Sequence, residues 1–145
     1  MQDHTYVVNV DGVIVRDGEY LLIERGADEE HAGGLLAFPG GTVEQPPGGN
    51  DTIEKTIRRE ISEEVGVEVG AVEYVHSSTF EADNGSLCLN IVTLCEYVRG
   101  EAHSRAGDEV AETHWFSYDE LKTHDDLPAF TADFADRVEE FRTPA

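Results

Sequence analysis

The sequence predicts a mixed α/β fold in which a largely antiparallel sheet packs against helices. Apolar runs rich in β-branched residues, "VVNVDGVIV", "VEYVHSSTFEA" and "SLCLNIVTLCEYV", are punctuated by Asp-Gly and Asn-Gly turn signals that favour hairpins over crossovers. Ile53, Ile57, Ile61 and Val65 recur every fourth residue, the spacing of a helix with one apolar stripe. No internal repeat or long linker interrupts the pattern, and 145 residues suit a single domain spanning positions 1–145.

The chain opens with two strands joined at "RDGE", where Asp17-Gly18 marks a tight hairpin. The polar, Gly-rich "GADEEHAGG" reads as a loop, the short apolar "LLAF" leads into "PGG", and "EQPPGGND" is a second loop hostile to regular structure. A helix follows. Asp51 and Glu54 form an acidic variant of the capping box, which predicts that the Asp51 side chain accepts the first unpaired N–H groups, and Gly66 ends the helix. Two long strands then meet across "DNG", "THWFSYDEL" runs from a strand into a short helix capped near Ser117, and "TADFADRVEEFR" closes the chain as an amphipathic helix with Phe134, Val138 and Phe141 on its inner face.

Charge narrows the function. Ten Lys and Arg against 31 Asp and Glu leave a formal net charge of −21. Such a field opposes binding to a nucleic-acid polymer or an anionic membrane. The acids are dispersed among ordinary core residues, so they predict an acidic shell on a folded protein rather than disorder. A salt-rich cytoplasm, which would screen this shell, is the corresponding hypothesis. No apolar run approaches a membrane span and the start "MQDHTYVVNV" lacks a secretory pattern, which together predict a soluble cytoplasmic protein. Cys88 and Cys95, an odd number apart on one strand, should face opposite sides as reduced thiols. The six histidines show no His-x-x-x-His spacing and are expected to be surface or structural residues.

One stretch resists a purely structural reading. In "RREISEEVGVEV", Glu60, Glu63 and Glu64 crowd one helical turn although like charges at this spacing repel by a few tenths of a kcal/mol per pair. At about 100° per residue, Glu63 and Glu64 lie roughly 60° and 40° to either side of Glu60, bordering the isoleucine stripe rather than opposing it. Composition alone leaves an ordinary acidic face open. Clustered carboxylates also suit a hard divalent cation, whose binding would relieve their repulsion.

These residues carry a resemblance. "GGTVE", the helix, and "REISEEVGV" from Arg59 to Val67 closely resemble the signature of the Nudix (MutT-like) hydrolases, and "FPGG" at Phe38 to Gly41 is the usual entry to it. The pattern departs at the helix start, where Asp51 stands in place of the usual Glu and about four extra residues fall within "QPPGGN". The resemblance implies a Nudix-type α/β/α sandwich and hydrolysis of a diphosphate linkage with Mg²⁺, or alternatively Mn²⁺. It implies that Glu60, Glu63 and Glu64 ligate the metal, that a backbone carbonyl near Gly40 or Gly41 completes the coordination, and that Arg59 orients the acids. Gly40, Gly41 and Arg25 are the implied substrate contacts. A further acid ahead of the last strand would serve as ligand or base. Asp108, Glu109 and Glu112 are the candidates, with Glu109 preferred, Glu112 second, and the base open between Glu64 and Glu109. Trp115 is assigned to the core.

Markers of substrate subfamilies are absent, including the downstream proline of many ADP-ribose hydrolases and the "SQPWPFPxS" run of NADH-type members. The implied substrate is therefore a nucleotide-like diphosphate, either a nucleoside triphosphate or a nucleoside-diphosphate-linked compound. A homodimer is one assembly compatible with the sequence. A non-catalytic nucleotide-binding or sensor domain is the alternative, opposed by the intact Arg59, Glu60, Glu63 and Glu64.

Overall fold

A computed structural model describes residues 4–26, 34–125 and 127–143. The first two strands, β1 (Val7–Arg16) and β2 (Glu19–Arg25), are joined through Asp17 and Gly18, both left-handed at φ 53° and 80°. Two successive positive φ values give the turn whose twist matches that of the flanking strands. Most of the expected loop from Gly26 to Gly34 lies outside the described residues. The entry segment contributes β3 (Leu36–Ala37) and β4 (Gly40–Thr42), followed by the helix α1 (Thr52–Val65). The hairpin β5 (Glu68–Glu81) and β6 (Leu87–Arg99), β7 (Val110–Ser117), and the helices α2 (Tyr118–Lys122) and α3 (Ala129–Arg142) complete the order.

The sheet runs β3-β2-β1-β6-β5, with β4 also on β1 and β7 also on β2. The β1–β6 pair is parallel, from Val7↔Cys88 to Ile14↔Cys95. Among the described residues every other pairing is antiparallel, giving the mixed, largely antiparallel sheet expected. Alternation along the strands divides the core into two layers. Val10, Ile14, Leu21 and Ile23 meet Ile57, Ile61 and Val65 of α1, whereas Val13, Tyr20 and Leu22 meet Leu121 of α2 and Phe134, Ala135 and Val138 of α3. The result is the α/β fold with helices on both faces of the sheet. Cys95 belongs to the α1 layer, Cys88 faces the other side, and both are buried free thiols.

The isoleucine stripe anchors α1. Ile57, Ile61 and Val65 are fully buried, which contributes roughly 1.5–3 kcal/mol per side chain relative to exposure. Gly12 permits the close approach, since a Cβ there would come within 2.7 Å of Ile57 Cγ1 and Ile61 Cδ1. Gly66 ends the helix at φ 71°, its N–H donating to Ser62 O at 3.1 Å. At the other end the expected cap is corrected. Asp51 occupies the N-cap position but is left-handed (φ 52°, ψ 42°) and makes no side-chain cap bond. A capping side chain needs an extended backbone to reach back to N2 or N3, and the tight exit from the inserted loop removes it. Ser117, with ψ 161°, does have that geometry, and it forms the full capping box with Glu120. In α3, Phe134 and Val138 are buried as expected, whereas Phe141 is corrected: it is 42% exposed.

Candidate active site

The strand β4 and the helix α1 bring the Gly-rich entry against the acidic turn. Glu60 lies against Gly41, where a Cβ would stand within 2.7 Å of both carboxylate oxygens. Glu64 lies one turn on and accepts a hydrogen bond from the Gly40 N–H at 2.9 Å. Both glycines are needed for this closeness, since a Cβ on Gly40 would strike the Val10 carbonyl and the Asp11 carboxylate. Arg59 donates to Glu60 Oε1 at 3.2 Å and so orients it. Glu63 is exposed and does not line the cleft formed here.

That cleft has a volume of about 890 Å³. Glu60, Glu64, Glu109, Arg25, Gly40 and Gly41 all line it. Glu109 enters from the loop before β7, while Arg25 enters from the end of β2, where a β-bulge between Glu24 and Arg25 shifts the ladder with β7. Glu112, the second candidate, stands apart from this cleft. It pairs across β7–β2 with Glu24, is exposed, and does not line the cleft, because the strand register turns it away from Glu109. Asp108 also does not line the cleft. Trp115 packs beside the α1 core with the Arg16 guanidinium 4.1 Å above its ring.

The local electrostatics reflect crowding of acids in a poorly solvated place. Burial is the main cause raising the Glu64 carboxyl to about 8, aided by the negative charges of Glu60 and Glu109 and opposed by the Gly40 N–H and by Arg25. Glu60 is raised by burial first, with Arg59 lowering it and Glu63, Glu109 and Glu44 raising it.

Sequence reasoning missed the floor of the cleft. Asp11 on β1 accepts a hydrogen bond from Asn90 Nδ2 on β6 at 3.1 Å, and burial raises its carboxyl to about 6 against the effects of Asn90 and Arg25. Asn9 accepts from Thr42 Oγ1 at 2.8 Å. The strand registers Asn9↔Thr42, Asn9↔Asn90 and Ser78↔Asn90 extend this into a polar row across four strands, all four residues lining the cleft. The available signal was the polar residues inside the apolar runs "VVNVDGVIV" and "LCLNIV". Phe80 and Phe130, each 41% exposed, line the same cleft.

The NUDIX domain family model matches residues 5–138, covering both the glycine entry and the acidic helix. The chain belongs to the Nudix family. It is 34% identical over 116 residues to an ADP-ribose pyrophosphatase of Methanocaldococcus jannaschii, covering 79% of this chain and 63% of that protein. It is 31% identical over 121 residues to the NAD-capped RNA hydrolase NudC of Mannheimia succiniciproducens, covering 80% of this chain and 42% of that one. The chain thus spans less than two thirds of the length of these relatives. Among solved structures, a MutT NUDIX hydrolase from Burkholderia pseudomallei superposes with a TM-score of 0.79 at 27% identity, over 93% of this chain and 99% of that one. The NUDIX domain of Shewanella oneidensis NrtR complexed with ADP ribose shares the fold at a TM-score of 0.77 and 17% identity, over 96% of this chain and 90% of that one.

As a Nudix site, the donor set fits a divalent metal. Glu60, Glu64 and Glu109 offer hard carboxylate oxygens to one cleft, and their mutual repulsion is what a cation of the Mg²⁺ or Mn²⁺ class would offset. The Gly40 group in contact with Glu64 is its N–H, which leaves the second Glu64 oxygen available as a donor.

Proposed function

We propose that this chain is a Mg²⁺-dependent pyrophosphohydrolase that cleaves the diphosphate linkage of nucleoside-diphosphate-linked compounds, with Mn²⁺ as a substitute. The observation that carries this reading is the acid-lined cleft of about 890 Å³ in which Glu60 and Glu64, seated on Gly41 and Gly40, share one space with Glu109 and Arg25. A sugar or nucleoside fits beside a diphosphate in such a volume. The names of the related ADP-ribose pyrophosphatase and NAD-capped RNA hydrolase favour ADP-ribose or a dinucleotide over a nucleoside triphosphate.

Glu60 and Glu64 would hold the cation, with Arg59 fixing the Glu60 carboxylate and the Gly40 N–H fixing that of Glu64. A bound cation would supply charge to offset the diphosphate, which an acidic cleft otherwise repels, and would make a nearby water more acidic. Arg25 pairs with a phosphate oxygen and orients phosphorus for in-line attack. Glu109, bound to neither glycine, takes the proton from the attacking water. The water oxygen forms a new P–O bond as the bridging P–O bond breaks, yielding two monophosphates. Asp11 and Asn90 support the floor beneath Gly40. Glu63, exposed and outside the cleft lining, adds negative charge near Glu60 and would reach the cation only by a side-chain rotation.

The test is product analysis with ADP-ribose, NADH, nucleotide sugars and nucleoside triphosphates, with Mg²⁺ or Mn²⁺ and in high salt. Hydrolysis of ADP-ribose to AMP and ribose 5-phosphate is expected, and tight binding without cleavage across the panel would replace the enzyme with a sensor.

A further inference from the structure

We propose that Glu24, Glu112 and His114 form a second metal site on the β2–β7 ladder, outside the catalytic cleft, that takes a borderline transition-metal ion of the Zn²⁺ class. Linear spacing hides the set because it is assembled across two strands. Glu24 and Glu112 are direct cross-strand partners, and His114 follows Glu112 by two residues, on the same face.

Two features single this group out from the acidic surface. Like charges directly opposite each other on antiparallel strands destabilise the pairing, and this pair lies in a chain already at −21. The imidazole does not resolve the conflict by ordinary hydrogen bonding. His114 Nε2 stands 3.7 Å from Glu24 Oε1 and 3.6 Å from Glu112 Oε2, too far to bond well to either and almost equally far from both. Two ligands each about 2.0–2.1 Å from a tetrahedral ion stand roughly 3.3 Å apart, close to these separations. All three donor atoms lie within 4.8 Å of one another, so small rotations of the half-exposed Glu24 and the exposed Glu112 would close the sphere. The ring stacks on Phe116, with centroids 5.3 Å apart and planes 14° from parallel, which limits its rotation.

The ligand chemistry selects the ion. One imidazole and two carboxylates suit Zn²⁺, Co²⁺ or Mn²⁺, whereas Mg²⁺ prefers oxygen ligands alone. Three protein ligands would leave the remaining position to water. The location gives the ion an effect on the proposed active site. The β-bulge follows Glu24 directly, so the pinned ladder leads on one strand to Arg25 and on the other to Glu109, whose carbonyl accepts the Gly26 N–H at 2.9 Å. An ion here would clamp the two strands that deliver those residues.

The experiment uses the full chain carrying Glu60→Gln and Glu64→Gln, which disables the catalytic metal site, in excess Mg²⁺. Co²⁺ is titrated while its visible d–d absorption and binding heat are recorded. One saturable equivalent with a d–d spectrum is expected. Adding His114→Gln should weaken binding at least 10-fold and change the spectrum, and Glu112→Gln, at a more exposed position, should weaken it likewise without lowering the thermal midpoint of the metal-free protein, since it relieves the Glu24–Glu112 repulsion. Absence of saturable Co²⁺ binding in the background protein would overturn the proposal. So would equal binding in the His114→Gln and Glu112→Gln proteins.

Discussion

Replacing Glu64 with Gln retains side-chain volume and an acceptor for the Gly40 N–H but removes the ionisable group. In the fold, Glu64 is only 5% exposed and its carboxyl is raised from 4.5 to about 8. At pH 7 the folded protein therefore holds a proton that the unfolded chain releases. The difference of 2.5 between pH 7 and 4.5 corresponds to about 3 kcal/mol of stability lost relative to low pH. The sign follows from proton counting. Between the two values the folded state binds more protons than the unfolded state, so stability falls as pH rises from about 4.5 to about 8 and levels off above. The Gln variant lacks this component. In EDTA at pH 7 it should exceed the wild type by up to about 3 kcal/mol, or roughly 10 °C in melting temperature for a domain of this size. Melting curves of both proteins from pH 5 to 9 measure the difference, which contains the Glu64 titration together with its coupling to the Glu60 charge. Mg²⁺ should stabilise the wild type and leave the variant nearly unchanged. A Gln variant that is less stable than wild type in EDTA, or a stability difference independent of pH, would refute the burial argument.

Deleting Pro46 to Gly49, all exposed, should change loop-closure entropy by less than ~1 kcal/mol and so leave the melting temperature nearly unchanged, while altering KM and substrate ranking beside the cleft. Unchanged kinetics would make the insertion a neutral surface excursion. Gly41→Ala places a methyl against both Glu60 oxygens; the flexible carboxylate swings aside, the fold persists, and Mg²⁺-dependent turnover drops by on the order of 100-fold, as read by steady-state kinetics with circular dichroism as the folding control. With a net charge of −21, the melting temperature should rise between low salt and molar KCl, where the Debye length shrinks to about 3 Å; a flat response argues against adaptation to a salt-rich cytoplasm.

Regular elements were legible wherever a local rule governed them. The Asp17-Gly18 turn, the isoleucine stripe and the Ser117 capping box depend on residues close in sequence, and each has its expected geometry. The Asp51 cap was misread because residue type alone cannot reveal a left-handed backbone imposed by the preceding loop. Helical spacing put Glu60, Glu63 and Glu64 beside the apolar stripe; Glu60 and Glu64 line the cleft, whereas Glu63 faces solvent, a difference that spacing alone does not carry. The choice between Glu109 and Glu112 required the β2–β7 register, and the polar row of Asn9, Asn90, Thr42 and Ser78 exists only across strands distant in sequence. The missing subfamily markers left the substrate open, because short motifs report the diphosphate chemistry and not the groups on either side of it.

The most direct test of the proposed activity is hydrolysis of ADP-ribose by the wild type and by Glu60→Gln, followed by ³¹P NMR with Mg²⁺ present and after its removal with EDTA. The diphosphate resonances should convert into those of AMP and ribose 5-phosphate with the wild type and Mg²⁺, persist in EDTA, and convert orders of magnitude more slowly with Glu60→Gln. Equal rates with and without the divalent ion, or a Glu60→Gln protein as active as wild type at saturating Mg²⁺, would contradict the assignment of the Glu60–Glu64 cleft as the catalytic metal site.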